Sequence, residues 1–88
     1  MVPIANTKLA DWRRVIDVNL TGAFICLQHE LRAIEDGGSI VNMASAAGLA
    51  ALADTGAYIA SKHGVVGITK AAAIESAPRR VRVNAVCP

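Results

Sequence analysis

Apolar residues return at three- and four-residue steps through the first third of the chain. Trp12, Val15, Ile16, Ala23, Leu27, Leu31 and Ile34 fall on one stripe at helical spacing, so the pattern predicts a long helix from Thr7 to Glu35, preceded by a loop at Met1 to Asn6. Gly37-Gly38 is expected to end that helix, because glycine accepts the left-handed conformation common at helix exits. Ser39-Ile40-Val41-Asn42-Met43-Ala44 is short and β-branched at its start and predicts a strand. The small residues from Ala46 to Gly56 predict a loop with a turn at Asp54-Thr55-Gly56. A second helix is expected from Ala57 to Ser76, stopping before Pro78, and Val81 to Cys87 predicts a second strand.

Helix, strand, helix, strand is the order of an α/β fold. The crossover rule puts both strands in one parallel sheet, with the second helix on a face. A parallel sheet needs cover on both faces, and two strands with two helices do not supply it. Residues 1–88 are therefore expected to be a partial domain from a larger doubly wound, Rossmann-like parallel sheet. The sequence stops at Pro88 directly after a strand, where ligand crevices open in such sheets.

The second helix carries small residues at Ala57, Ala60, Gly64, Gly67 and Ala71, again three and four apart. Such a stripe lets a neighbour approach closely, and either packing on the sheet or a helix–helix subunit contact accounts for it. Tyr58 and Lys62 leave the helix on nearly the opposite side.

Composition narrows the class. Apolar residues make up 53% of the chain, which argues against disorder, while aromatics are 3%, so the core must come from Val, Ile, Leu and close backbone packing. A net charge of +2 is too weak to argue for nucleic acid. The cluster Arg79-Arg80-Val81-Arg82 is read as a solvated turn leading into the second strand. No stretch reaches the roughly 18 apolar residues of a membrane span. Cys26 and Cys87 fit no metal spacing and are expected to be buried thiols in a reducing, cytoplasmic setting. No secretion signal pattern is present in the sequence.

Four positions bear on chemistry. Tyr58 and Lys62 stand at i and i+4, so their side chains share a face, and an ammonium beside a phenol favours the phenolate that general acid/base work needs. Taken alone, the pair also fits an exposed tyrosine beside a solvated lysine. Ser45 follows the end of the first strand, where a hydroxyl can donate to a substrate oxygen; it also fits a simple turn serine. Asn19 lies mid-helix on the apolar stripe, where it either caps a break in the helix or holds a water. His29 and His63 have no partner at metal spacing and are read as surface or satisfied histidines. Neither a G-x-G-x-x-G loop nor a P-loop occurs in the sequence.

Taken in order, these segments resemble the short-chain dehydrogenase/reductase family. They are Asp11-Trp12 with Val18-Asn19-Leu20-Thr21-Gly22, then Gly38 to Gly48 with Asn42-Met43-Ala44-Ser45, then Ala57-Tyr58-Ile59-Ala60-Ser61-Lys62-His63-Gly64-Val65, and finally Val81 to Pro88. Together they cover nearly the whole chain. The resemblance implies an oxidoreductase that moves hydride between NAD(P) and a carbonyl or secondary alcohol. Tyr58 would be its general acid/base. Lys62 would favour the Tyr58 phenolate and hold the nicotinamide ribose hydroxyls, and Ser45 would orient the substrate oxygen. Asn19 would bend its helix and hold a water linking Lys62 to solvent, which replaces the plain-break reading. Asn84 and Pro88 would lie beside the nicotinamide. The two long helices would pair subunits into a homodimer or homotetramer, with no nucleic-acid or membrane partner.

Departures from the family pattern bound the expectation. The glycine-rich phosphate loop is not in these 88 residues, and neither is the substrate-binding region that follows Pro88 in the family. Ala44 stands where a second serine is common, a change expected to leave activity intact. NAD versus NADP and the substrate are left open. An alternative of another class is a non-catalytic piece acting at most as a helix-mediated interaction module. A Ser/His hydrolase has little support, since Ser45 has no nucleophile elbow.

Overall fold

A computed structural model describes residues 2–43 and 55–86. After a short 3-10 turn at Ile4–Asn6, helix α1 runs over Leu9–Ile16, a π-helical turn over Asp17–Thr21, and helix α2 over Gly22–Ala33. Strand β1 is Ser39–Met43, helix α3 is Thr55–Ser76, and strand β2 is Arg82–Val86. A 3-10 turn at Ala77–Arg79 joins α3 to β2 and takes up Pro78, which cannot continue the α-helix.

The two strands pair in parallel, with Ser39 opposite Arg82 and Met43 opposite Val86. Two parallel strands joined through a helix make the expected α/β unit. Leu27, Ile40, Ala72, Val81 and Val83 form the buried cluster, with Leu31, Ile34, Ile68 and Ala73 packed around it. Both α2 and α3 thus lie on the sheet face that carries Ile40 and Val83. Side chains alternate along a strand, so Val41, Arg82 and Asn84 project from the other face, and all three are exposed. Among the described residues that second face has no cover.

The stripe of α3 that faces the interior is Ala57, Ser61, Val65, Thr69, Ala72 and Ser76. It differs from the small-residue stripe read from the sequence. Ala57 is buried, Ala60 and Gly64 are half-buried, and Gly67 and Ala71 are exposed. Small size therefore did not mark the sheet-facing side. The buried hydroxyls tolerate their position by bonding backward along the helix, Ser61 Oγ donating to Ala57 O at 2.8 Å and Thr69 Oγ1 to Val65 O at 2.6 Å.

Several boundaries and environments depart from the sequence reading. Thr55 and Gly56, expected in a turn, open α3; Gly56 is small because Ile4 packs there, a Cβ on it lying 3.0 Å from the Ile4 Cγ1. The rest of the expected loop, Ala46 to Asp54, lies outside the described residues, as do Ser45, Cys87 and Pro88. Cys26 is exposed, against the expectation of a buried thiol, because α2 turns Leu27 inward and leaves Phe24, Ile25 and Cys26 outward. The glycine pair does not cap α2. The helix ends at Ala33 with Ile34 extended, and Gly37 takes φ 83° three residues later, in the turn before β1.

The carbonyls at that helix end are met instead by Arg79. Its guanidinium donates to Ile34 O at 2.7 Å, to Leu31 O at 3.3 Å and to Asp36 Oδ1 at 2.8 Å. A cation on the last carbonyls of a helix also suits the helix dipole. The arginine cluster is therefore not wholly solvated: Arg79 ties the α3–β2 turn to the end of α2, and Gly37 N donates to Arg79 O at 3.0 Å across the same junction.

Candidate active site

The first helix does not break at Asn19. Backbone dihedrals stay helical on both sides, with Asp17 at φ −63° and Gly22 at φ −59°. Asn19 Nδ2 donates to Val15 O at 2.9 Å, the carbonyl that an α-helix gives to the backbone N–H of residue 19. Gly22 N–H correspondingly reaches back five residues to Asp17 O. A side chain inserted into the i→i−4 ladder is a known cause of local distortion, and here it coincides with a π turn. The cap-or-break reading of Asn19 is thus corrected: the residue sits half-buried inside a widened turn of a continuous helix.

Tyr58 and Lys62 lie in α3, one turn apart, and both are half-buried. The side chains of an i, i+4 pair stand about 5–6 Å apart at Cβ. They border the buried stripe, next to Ala57 and Ser61. Topology sets their level. α3 ends at the start of β2, where Val81 N–H donates to Ser76 O at 3.3 Å. At 1.5 Å per residue, Lys62 is about 21 Å along the helix from Ser76. Strand β2 spans about 17 Å at 3.3 Å per residue. Lys62 therefore stands near the level where the strands end, and Tyr58 one turn beyond them. Ligands of open α/β sheets bind outside the carboxyl ends of the strands, at this level. Met43 and Val86, paired at those ends, lead to Ser45 and Pro88, whose placement lies outside the described residues.

Elsewhere the histidine reading holds. His29 is exposed, and exposed His63 places Nδ1 2.9 Å from Ile59 O, a local contact within its own helix. Among the described residues no group of acidic, histidine and cysteine side chains could hold a metal ion, and no helix is long and apolar enough to cross a membrane. Asn84 is on the uncovered sheet face, opposite Val41 in the register.

Comparison with known proteins decides the family. The family model described as Enoyl-(Acyl carrier protein) reductase matches residues 1–88. A short-chain dehydrogenase/reductase, ABA4, of Pyricularia oryzae (strain 70-15) is 53% identical over 87 residues, covering 99% of this chain and 32% of that protein. The chain belongs to the short-chain dehydrogenase/reductase family. Another relative, the cyclohexanol dehydrogenase of Acinetobacter sp. (strain SE19), is 52% identical over 83 residues, covering 92% of this chain and 33% of its own. Among solved structures, acetoin dehydrogenase from Enterobacter cloacae matches with a TM-score of 0.80 and 38% identity, over 99% of this chain and 36% of that one. A short chain dehydrogenase from Mycobacterium smegmatis matches with a TM-score of 0.79 and 37% identity, over 99% and 37%. The chain spans about a third of the length of these relatives.

Three features that shape the site were missed at the level of sequence. Ser61 sits between Tyr58 and Lys62 yet turns inward, its hydroxyl taken by Ala57 O. Arg79 fastens the far end of the unit. Leu20, next to Asn19, packs where a side chain on Gly64 would go. Only the glycine in an otherwise helical run hinted at a close approach.

Proposed function

We propose that the chain is the central, catalytic segment of an NAD(P)-dependent oxidoreductase that interconverts a secondary alcohol and a carbonyl. The observation that carries this reading is the position of Tyr58 and Lys62. They are one turn apart on α3 and half-buried, and the rise of helix and strand sets them at the level of the strands' carboxyl ends. Membership of a family whose relatives are described as dehydrogenases supports it.

The residues fit a nicotinamide cofactor in kind. Lys62 brings an ammonium with three donors that has no ion-pair partner among the described residues, and a ribose diol can accept those donors. The bound cofactor supplies or takes the hydride. Tyr58 gives its hydroxyl proton to a carbonyl oxygen during reduction, or takes the proton of an alcohol during oxidation. Lys62 steadies the phenolate side of that exchange by its charge and holds the ribose hydroxyls. Ser45 donates a hydrogen bond to the substrate oxygen and fixes it for Tyr58. Asn19 holds a water through which Lys62 exchanges protons with solvent, and Pro88 shapes the cofactor side of the site.

A cytoplasmic setting and a homodimer or homotetramer through the long helices belong to the same reading. Exposed Phe24, Ile25 and Ile59 on those helices support the assembly. The 88 residues by themselves fit a non-catalytic piece, since they hold no glycine-rich phosphate loop and span a third of their relatives' length. The test is a panel of secondary alcohols and ketones with NAD and NADP, followed by nicotinamide absorbance, on the full-length protein. Turnover of at least one pair is expected. Absence of turnover across the panel, with cofactor bound, would contradict the reading.

A further inference from the structure

The π turn packs against helix α3, and at Gly64 the approach is close. A Cβ built on Gly64 would lie 2.7 Å from Leu20 Cδ2, 2.8 Å from its Cδ1 and 3.3 Å from its Cγ. The two methyl carbons of the leucine therefore stand where a side chain on residue 64 would go, and the leucine side chain would have to shift to admit one. Gly67, one turn further on, differs: a Cβ there meets nothing within 4 Å, and the residue is exposed. A side chain at residue 64 would thus press on Leu20, whereas one at residue 67 would meet nothing.

The neighbours of this contact give it a consequence. Leu20 directly follows Asn19 inside Asp17–Thr21, and Gly64 lies two residues after Lys62 on α3. Asn19 is itself fastened to Val15, which is buried against the interior. Packed interiors do not absorb an added carbon without movement of side chain or backbone. We propose that Leu20 and Gly64 are positioning residues: their contact sets the spacing between the turn of Asn19 and the helix of Lys62, and so the place of the water that joins them. The proposal rests on the function proposed above, in which that water carries protons.

Four variants of the full-length protein test it: Gly64→Ala, Leu20→Ala, their combination, and Gly67→Ala as a matched control on the open side of the helix. Misplacement by about an ångström costs up to about a hundredfold in rate. Gly64→Ala is expected to lower kcat by roughly ten- to a hundredfold while KM changes by no more than about twofold, since ground-state binding is untouched. Leu20→Ala attacks the contact from the other side, with a kcat loss expected even if Gly64→Ala folds poorly. The combination is expected to recover most of the kcat lost in Gly64→Ala, and Gly67→Ala to keep the parent value. A crystal structure of cofactor-free Gly64→Ala should show residues 17–21 displaced from α3.

Gly64→Ala and Leu20→Ala at the parent kcat, or an undisplaced turn in that crystal structure, would overturn the inference. So would a folded double variant with no recovery. Tyr58→Phe run beside them separates the two levels. An inactive Tyr58→Phe with a fully active Gly64→Ala removes only the positioning role, whereas an active Tyr58→Phe removes the catalytic reading and this inference with it.

Discussion

Arg79 and Asp36 form an ion pair at 2.8 Å between residues 43 apart in sequence, yet the pair is not what makes the junction firm. The Asp36 side chain is 76% exposed and that of Arg79 is 43% exposed, so water screens their attraction. The same guanidinium also meets the carbonyls of Leu31 and Ile34, which the end of α2 leaves without helical partners.

Arg79→Ala is expected to cost about 1–3 kcal/mol, the range for carbonyls stripped of a charged donor. Asp36→Ala should cost no more than about 1 kcal/mol, as a surface ion pair does. Arg79→Lys should recover little, because a single ammonium does not reproduce the planar fork. Urea melts of the three variants check the order. Equal losses from Arg79→Ala and Asp36→Ala would place the energy in the ion pair instead.

This junction shows where sequence reading stops. Elements read from local spacing were legible: the i, i+4 relation of Tyr58 and Lys62, the β-branched start of β1, and the stop of α3 before Pro78 all depend on neighbours in the chain. Arg79 looked like part of a solvated basic run because its partners are more than 40 residues away. Asn19 was legible as an anomaly, but its outcome was not. Whether a buried amide breaks a helix or widens it depends on which carbonyl it reaches, here Val15 O. The exposure of Cys26 has a similar cause, since residue type gives an average burial and the side of α2 that meets the sheet is a tertiary fact. Ser45 and Pro88 keep their roles as proposals, because their placement lies outside the described residues.

Leu27 and Ile74 are both aliphatic and helical, and their environments set them apart. Leu27 is 3% exposed within the central cluster, and Ile74 is 77% exposed on α3. Leu27→Ala should therefore destabilise the protein by about 2–5 kcal/mol, and Ile74→Ala by less than about 0.5 kcal/mol. Thermal unfolding of both variants is the check. A comparable loss at Ile74 would mean that another surface covers it in the folded protein.

Two glycines should respond to alanine with opposite signs. Gly67 is helical with open space around its Cα, so Gly67→Ala is expected to add about 0.5–1 kcal/mol of stability. Gly37 holds φ 83°, so Gly37→Ala is expected to cost about 1–2 kcal/mol although it meets no steric neighbour. Denaturant titration of each variant gives the signs directly. A loss at Gly67 would point to a close partner on that side of α3.

The proton carried by Tyr58 is the centre of the proposed chemistry. Its test is single-turnover oxidation of a secondary alcohol by the full-length protein and by Tyr58→Phe, each saturated with cofactor and shown to be folded. Removing a general acid/base costs on the order of 10²- to 10⁴-fold, so the variant is expected to bind cofactor and lose turnover by at least that range. Hydride transfer by Tyr58→Phe at the parent rate would contradict the assignment.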